Sequence, residues 1–417
     1  MKNSKILKDL NQYLQPALGC TDPVSIAYAA ACARNINTGS CIKKIRIEVS
    51  GNLIKNAAAV LIPNTKLSGI RFAAAIGAVI NNPTEKLEIM KFVTDDIIDE
   101  AVEIVNRSLV EVVKYYGPEL LYISAEVSTE TEISRAVIMG AYTNLVQLSR
   151  NNQNVSFESN DLSAEQSVED YSIEDIIDFS KNIEISSLDV VKKAIQMNSD
   201  IAQEGQNNMF GLNVGQIIKN SDNSNMWINA LGLTASASDA RMGGSGCPVM
   251  SNSGSGNQGI LTIIPVIEMG KSYKSETDSI VRACTLSSLI TIYIKKKFGI
   301  LSAMCSTTVS SCGAAAGITF LKTQDSEIIK KAIQTTIGNV AGILCDGAKA
   351  SCSLKVATCT FAALLASELA INGKSITKEE GFIEENIEDT ISNYCELSVI
   401  SCGELDSKLL QFIMGKE

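Results

Sequence analysis

The stretch IKKIRIEVSGNLIKNAAAVLIP, residues 42–63, places apolar residues at alternate positions and is rich in β-branched side chains. This pattern predicts a strand pair that turns at residues 50–52. A second stretch, LYISAEVSTETEISRAVIMGAYTNLVQL at 121–148, has the same character. Helical periodicity at 69–80 and 94–113 separates the two β regions. Together these segments predict an α+β middle domain.

The rest of the chain has helical character. Residues 3–15 predict a helix, and Pro23 is suited to the first turn of a second one. After residue 205 the sequence is rich in Ala, Gly, Ser and Cys, which favours close helix packing through small residues. We therefore predict an α+β fold with a mostly helical catalytic domain, formed by the N-terminal helices and the C-terminal half. The predicted domains are 1–39, 40–205 and 206–417, the second being the inserted α+β domain.

Composition limits the classes of function. The 417 residues include 36 Lys plus Arg and 46 Asp plus Glu, a formal net charge of −10, which argues against a nucleic-acid partner. The N-terminus, MKNSKILKDLNQYL, has no apolar core of signal-peptide type, so we expect a cytoplasmic protein with reduced thiols. The uncharged stretch 298–321 carries seven hydroxyl side chains and is predicted to be buried in protein rather than in a membrane. A homo-oligomer is compatible with the sequence.

The chain contains no histidine, which removes Ser-His-Asp and Cys-His nucleophile systems and the usual zinc sites. Any general base must then be Lys, Asp, Glu, Cys or Tyr. Twelve cysteines are present, several of them seven residues apart, a spacing that core-facing helix positions also produce. Three have a context that differs from a helix core: Cys20 and Cys305 lie near predicted segment ends, and Cys345 precedes the polar residues 346–349.

A glycine-dense stretch, SNSGSGNQG at 251–259, precedes an apolar helix. Glycines let successive backbone amides converge on an anion, and polar side chains add hydrogen bonds to a carboxylate or an ammonium group. A linker is the alternative, but linkers seldom carry Asn-Gln before an apolar helix. The stretch lacks the lysine of a P-loop. The predicted ligand contacts are Ser253, Ser255, Asn257 and Gln258.

Six segments in this order resemble the L-cysteine desulfidase family, which is related to the alpha chain of iron–sulfur L-serine dehydratases. The segments are GCTDP at 19–23, SGNLIKN at 50–56, IPNT at 62–65, SGSGNQGI at 253–260, LSAMC at 301–305 and CDGAKASC at 345–352. The resemblance implies a lyase that uses a [4Fe-4S] cluster to convert L-cysteine to pyruvate, ammonia and sulfide. It also implies Cys20, Cys305 and Cys345 as cluster ligands, with Cys352 as a substitute for Cys20 or Cys345.

Three thiolates would leave one iron without a protein ligand, and that iron could bind the β-sulfur or β-hydroxyl of a substrate. L-Serine dehydration by the same mechanism is therefore an alternative that the sequence leaves open. The α-proton then needs a base, for which the candidates are Lys55 and Lys349. A helix through residues 345–352 would point Lys349 toward the cluster. Thr21 and Asn56 are predicted as further substrate contacts.

Two other readings compete with this one. Ser255, Gly256 and Asn257 superficially resemble a loop that flanks pyridoxal phosphate, but no Ser-x-Lys precedes them to supply a Schiff-base lysine. A non-enzymatic iron–sulfur or ligand sensor would need a partner-binding element. The chain offers no basic helix beyond the run 295–297, which we expect to be a solvated helix end.

Overall fold

A computed structural model of the chain describes residues 2–157, 171–222 and 224–415. The strands are β1 (Leu14–Ala17), β2 (Lys44–Val49), β3 (Val110–Lys114), β4 (Tyr122–Ser128), β5 (Ile133–Met139), β6 (Leu145–Arg150), β7 (Gln153–Asn154) and β8 (Val249–Asn252). The N-terminal helices are α1 (Lys2–Tyr13), α2 (Thr21–Asn35), α3 (Gly51–Ala57), α4 (Ile70–Ile80) and α5 (Asp95–Asn106).

The remaining helices follow the sheet in the chain. They are α6 (Ile173–Asn182), α7 (Asp189–Asn207), α8 (Val214–Ser221), α9 (Met226–Met242), α10 (Gly256–Ser272), α11 (Thr277–Phe298), α12 (Thr307–Lys322), α13 (Ser326–Val340), α14 (Cys352–Ile371), α15 (Ile387–Ser401) and α16 (Glu404–Met414). The predicted fold class, a mostly helical α+β protein, is confirmed.

A six-stranded mixed sheet has the order β3-β2-β4-β5-β6-β7, with β2 and β3 parallel and the other pairs antiparallel. Along β2, Ile45, Ile47 and Val49 are fully buried, whereas the residues between them are partly exposed. This alternation results from the period of two in a strand, which turns every second side chain toward the core. Helices α2 and α4 share that core with the sheet.

Small residues let helices approach closely, as the composition predicts. A Cβ at Gly77 of α4 would lie 2.0 Å from the backbone carbonyl oxygen of Ala27 in α2. In the helical half, a Cβ at Gly313 of α12 would lie 2.2 Å from the carbonyl oxygen of Ser287 in α11. Both distances are too short for a non-bonded contact, so these crossings require glycine.

The helical half forms a second apolar core, to which α1, α6, α7 and α9–α15 contribute. The N-terminal segment joins it through a two-stranded antiparallel sheet in which β1 pairs with β8. The amide of Ser253 donates to the carbonyl oxygen of Tyr13 (3.0 Å), so the pairing extends into the glycine-dense stretch. The predicted domain boundaries stay a prediction, since the structure describes packing rather than independent folding.

The predicted strand pair at 42–63 is half wrong. Its first half forms β2, but residues 51–57 form the helix α3. Ser50 is the extended residue before that helix, and Leu53, Asn56 and Ala57 turn inward at helical spacing. A short amphipathic helix and a short strand both place apolar residues at mixed spacings, so seven residues do not separate them.

The uncharged stretch 298–321 is buried, as predicted, and is not one helix. Phe298 ends α11, residues 299–306 connect, and α12 begins at Thr307. Within the described ranges, α14 is the helix whose length and hydropathy would suffice to cross a bilayer. Most of its inward face, including Val356, Cys359 and Ala363, packs against other helices, which is the placement of a core helix.

Gly77→Ala should destabilise the fold by about 1–3 kcal/mol, because the added methyl group would overlap the α2 backbone. The free energy of unfolding in urea would measure this change. Gly342→Ala is the matched control, since a Cβ there meets no atom within 4 Å. An equal effect of the two substitutions would contradict the close α2–α4 contact.

Candidate active site

Four cysteines from three distant parts of the chain line one cavity. They are the three predicted ligands, Cys20, Cys305 and Cys345, together with Cys352. About 750 Å³ of the cavity is free of protein atoms, part of it open to solvent, which is within the range of small-ligand pockets. The cavity lies between the sheet half and the helical half, because Cys20 begins α2 and the other three cysteines belong to the helical half.

Cys305 and Cys345 are held by a short antiparallel bridge. The amide of Cys305 donates to the carbonyl oxygen of Ile343 (2.8 Å), and the amide of Cys345 donates to that of Ala303 (2.7 Å). These bonds flank the bridged pair formed by Met304 with Leu344. Side chains alternate across such a ladder, so both thiols lie on the face opposite that pair and are diagonal neighbours.

Three of the four thiols sit at the N-terminal ends of helices. Cys20 is the residue before α2, Cys352 is the first residue of α14, and the carbonyl oxygen of Cys305 accepts from the amide of Thr308 in the first turn of α12. The positive end of a helix dipole stabilises a thiolate placed there. These positions therefore suit sulfur atoms that carry negative charge.

Burial opposes that charge in the protein alone. It raises the pKa of Cys305 to about 11, with a further contribution from the nearby Cys345, and it also raises the pKa of Cys20 and of Cys352. A bound cation reverses this balance, since a metal-coordinating thiol is deprotonated. A group of buried thiols at helix N-termini thus has the donor chemistry that an iron–sulfur cluster requires.

A single metal ion is a poorer fit. Among the residues that the structure describes, no three Cys, Asp or Glu side chains converge closely enough to hold one ion. A four-iron cluster takes each thiolate at a different iron, so its ligands need not meet at one point.

The glycine-dense stretch forms a tight turn at the same cavity. Ser253 and Gly254 both have positive φ (49° and 82°), and the Ser255 hydroxyl caps α10 by accepting from the amide of Gln258. Asn257 accepts from the hydroxyl of Ser238 (3.2 Å). All four predicted contacts of this stretch, Ser253, Ser255, Asn257 and Gln258, line the cavity.

Thr21 and Asn56, the other predicted contacts, also line the cavity. Asn56 lies in α3, and its side-chain amide donates to Asp22 Oδ1 (3.1 Å). Asp22 accepts from the Tyr142 hydroxyl at the same oxygen (3.3 Å). Burial raises the pKa of Asp22, while the hydrogen bond from Asn56 lowers it in part. Asp22 and Tyr142 are lining residues that the sequence did not indicate.

The two predicted bases are not among the lining residues. Lys55 is buried in an ion pair with Asp406 of α16, and Lys349 pairs with Asp346 (2.6 Å). The helix expected through residues 345–352 is absent, because Gly347 has φ of +99° and α14 begins only at Cys352. The argument that pointed Lys349 toward the cavity therefore fails.

Lys295 lines the cavity instead. Its ammonium donates to the Ser306 hydroxyl (3.0 Å) and lies 5.0 Å from the ring centroid of Phe298. No carboxylate pairs with it in the described part of the chain, although the residue is only 5% exposed. Burial lowers the pKa of Lys295 to about 8, against an opposing contribution from the nearby thiols, Cys345 first.

The expectation of a solvated helix end at 295–297 is thus wrong for its first two residues. Lys295 and Lys296 are buried, and Lys296 pairs with Asp9 (2.5 Å). Helical periodicity could have revealed this, because Ser288 and Thr291, seven and four positions before Lys295, lie on a buried face. A cluster of three lysines masked that signal.

The comparisons with known proteins agree with this site. Residues 84–411 match the family described as serine dehydratase alpha chain. A UPF0597 protein of Clostridium perfringens is 36% identical over 420 residues, covering 99% of this chain and 98% of the relative. Those of Actinobacillus pleuropneumoniae and Lachnoclostridium phytofermentans are each 34% identical, covering 99% of this chain and 97% and 99% of the relatives.

The chain therefore belongs to the serine dehydratase alpha chain family. Membership suggests a lyase activity of the amino-acid β-elimination type, and the family uses iron–sulfur chemistry.

Lys55→Met should destabilise the protein by about 3–5 kcal/mol, because it leaves the Asp406 carboxylate buried without a partner. The double variant Lys55→Met with Asp406→Leu should regain most of that loss, since neither charge then remains buried. Urea denaturation of the two variants would measure both effects. A stable single variant that has lost elimination activity would instead assign Lys55 to the chemistry.

Proposed function

We propose that this protein is an iron–sulfur-dependent L-cysteine desulfidase, which converts L-cysteine and water to pyruvate, ammonia and hydrogen sulfide. The observation that carries the proposal is one cavity that combines the buried thiols with the polar turn 253–258 and an unpaired lysine. L-Serine dehydration at the same site is the second candidate, supported by the family match. The two differ only in the β-substituent of the substrate.

Cys20, Cys305 and Cys345 would hold the [4Fe-4S] cluster, and Cys352 is the alternative to Cys20 or Cys345. When bound, the cluster supplies a Lewis-acidic iron that activates the β-leaving group of the substrate. Three thiols at helix ends and one on a bridge give the protein four donors for three positions. The bridge between residues 303–305 and 343–345 keeps Cys305 and Cys345 at a fixed separation.

Lys295 is the general base of this proposal. Its neutral Nζ would accept the α-proton, and the electron pair of the C–H bond would form the Cα–Cβ double bond as the β-sulfur leaves. Ser306 orients Nζ, and the Phe298 ring beside it keeps water away. The aminoacrylate product then tautomerises and hydrolyses in solution to pyruvate and ammonia.

Negative charge develops toward the substrate carboxylate as the α-proton leaves. The turn at 253–255 directs the N-terminal end of α10 at the cavity, where backbone amides stabilise such charge. Tyr142 and Ile300 lie on the wall shared with a neighbouring cavity and separate the site from it.

Cys20→Ala, Cys305→Ala and Cys345→Ala should each lower the iron content of anaerobically reconstituted protein and abolish sulfide and pyruvate release. Iron and sulfide analysis, with a pyruvate assay on L-cysteine and on L-serine, would measure this. Cys352→Ala decides between the alternatives, since full iron loading in that variant excludes it as a ligand.

Cys32→Ala and Cys395→Ala are the controls, because both thiols are buried outside the cavity lining. They should retain iron and activity. Equal iron loading in all variants would contradict the ligand assignment. A protein that binds the cluster but consumes neither amino acid would favour the non-enzymatic sensor.

Lys295→Met should lower kcat by about 10²–10⁴-fold while leaving iron content unchanged. Lys295→Arg should be equally inactive, because a guanidinium does not lose its proton near neutral pH. In the unaltered protein, kcat/KM should rise with pH through an apparent pKa near 8, since the neutral amine predominates only above the pKa of Lys295.

Lys297→Met is the matched control on the same helix, where Lys297 lies outside the cavity lining. It should keep both the rate and the pH profile. A pH profile that is unchanged by Lys295→Met, with activity retained, would exclude Lys295 as the base.

A further inference from the structure

Arg241, at the C-terminal end of α9, is a buried cation without a carboxylate partner in the described part of the chain. The residue is 4% exposed and lines the cavity. Its Nε donates to the carbonyl oxygen of Gly19 (3.1 Å), and Nη1 contacts the sulfur of Met242 (3.3 Å). Buried guanidinium groups are normally paired, so this arrangement leaves donors for an anion that enters the cavity.

The guanidinium lies against the first turn of α10. A Cβ at Gly256, the first residue of that helix, would lie 2.2 Å from Arg241 Nε. Glycine is therefore required for the guanidinium to reach this position. The first-turn amides of a helix have no intrahelical acceptor and favour anions, so Arg241 and α10 direct donors to the same region.

Two buried acceptors in the same cavity have no donor. Asn56 Oδ1 and Gln258 Oε1 are buried and without a hydrogen-bond partner. The nitrogen of each side chain is already used: Asn56 Nδ2 donates to Asp22, and Gln258 Nε2 donates to the carbonyl oxygen of Asn252 (3.0 Å). These bonds fix the orientation of both amides and leave their oxygens toward unfilled space. A buried acceptor without a donor is costly, so a bound group with several donors is expected.

We infer that the cavity is a receptor for the zwitterion of a free α-amino acid. Arg241 and the first turn of α10 bind the α-carboxylate, and Asn56 Oδ1 and Gln258 Oε1 accept hydrogen bonds from the α-ammonium group. The inference rests on the proposed function and adds the substrate class to it. Amines, simple carboxylic acids and cysteine residues within peptides lack one of the two charged groups and are excluded.

Calorimetric titration of the anaerobically reconstituted holoprotein tests this without turnover. L-Alanine carries both charged groups but no leaving group, whereas propionate lacks the ammonium and ethylamine lacks the carboxylate. L-Alanine should bind about tenfold or more tightly than either fragment, because each charged group contributes its own hydrogen bonds.

Variants separate the two halves of the receptor. Arg241→Gln should weaken L-alanine and propionate by about tenfold or more and leave ethylamine unchanged. Gln258→Met should weaken L-alanine and ethylamine and leave propionate unchanged. A merely structural role of either residue would weaken all three probes alike, which would overturn the inference.

Gly256→Ala provides an independent check, because it keeps the charge of Arg241 but displaces its guanidinium. It should reproduce the Arg241→Gln pattern. Arg282→Gln is the matched control, since Arg282 binds the carbonyl oxygens of Ser180 and Ile183 away from the cavity. It should bind all three probes normally.

Two further results would overturn the inference while leaving the proposed function intact. One is sulfide release by a protein whose Arg241→Gln variant still binds L-alanine normally. The other is an Arg241→Gln variant that loses iron but keeps L-alanine affinity, which would assign Arg241 to the thiolates. Failure of the proposed function would look different, because cysteine and serine would both remain unconsumed by protein that carries iron.

Discussion

The N-terminal ends of four helices, α2, α10, α12 and α14, meet around one cavity. Each end contributes partial positive charge and unsatisfied amides. Without this field, four buried thiols and a buried carboxylate would strongly disfavour ionisation, as the raised pKa values of Cys20, Cys305 and Asp22 indicate. The convergence therefore creates a place where anionic groups can be held away from water, and the site depends on it.

Two connections bring the sequence-distant helices together. The β1–β8 pairing carries the chain before α2 onto the turn that starts α10, and the Gly19 carbonyl accepts from Arg241 at the end of α9. Gly19 has φ of +72°, and a Cβ there would lie 2.1 Å from Pro63, so the approach to α2 is locally fixed. Cys20 thus reaches the helical half although 285 positions separate it from Cys305.

The sequence predicted the fold class and the part of the site that consists of short motifs. Cysteines beside polar, glycine-containing segments lie in loops at helix ends, which explains why Cys20, Cys305 and Cys345 reach the same cavity. Long-range charge pairing was not predictable: Lys55 is consumed by Asp406, 351 positions away. Arg241 escaped notice for a similar reason, since its role depends on the absence of a carboxylate nearby, and local sequence does not reveal absent partners.

The buried cations of the protein divide according to their partners. Lys55 and Lys296 each face a carboxylate and act as structural ties, whereas Lys295 and Arg241 line the cavity without one in the described residues. The two unpaired groups are not interchangeable. A guanidinium stays charged under all ordinary conditions and suits a permanent anion such as a carboxylate, whereas a desolvated amine can release and regain a proton. A chain without histidine can in this way separate anion binding from proton transfer by placing one arginine and one lysine on the same wall.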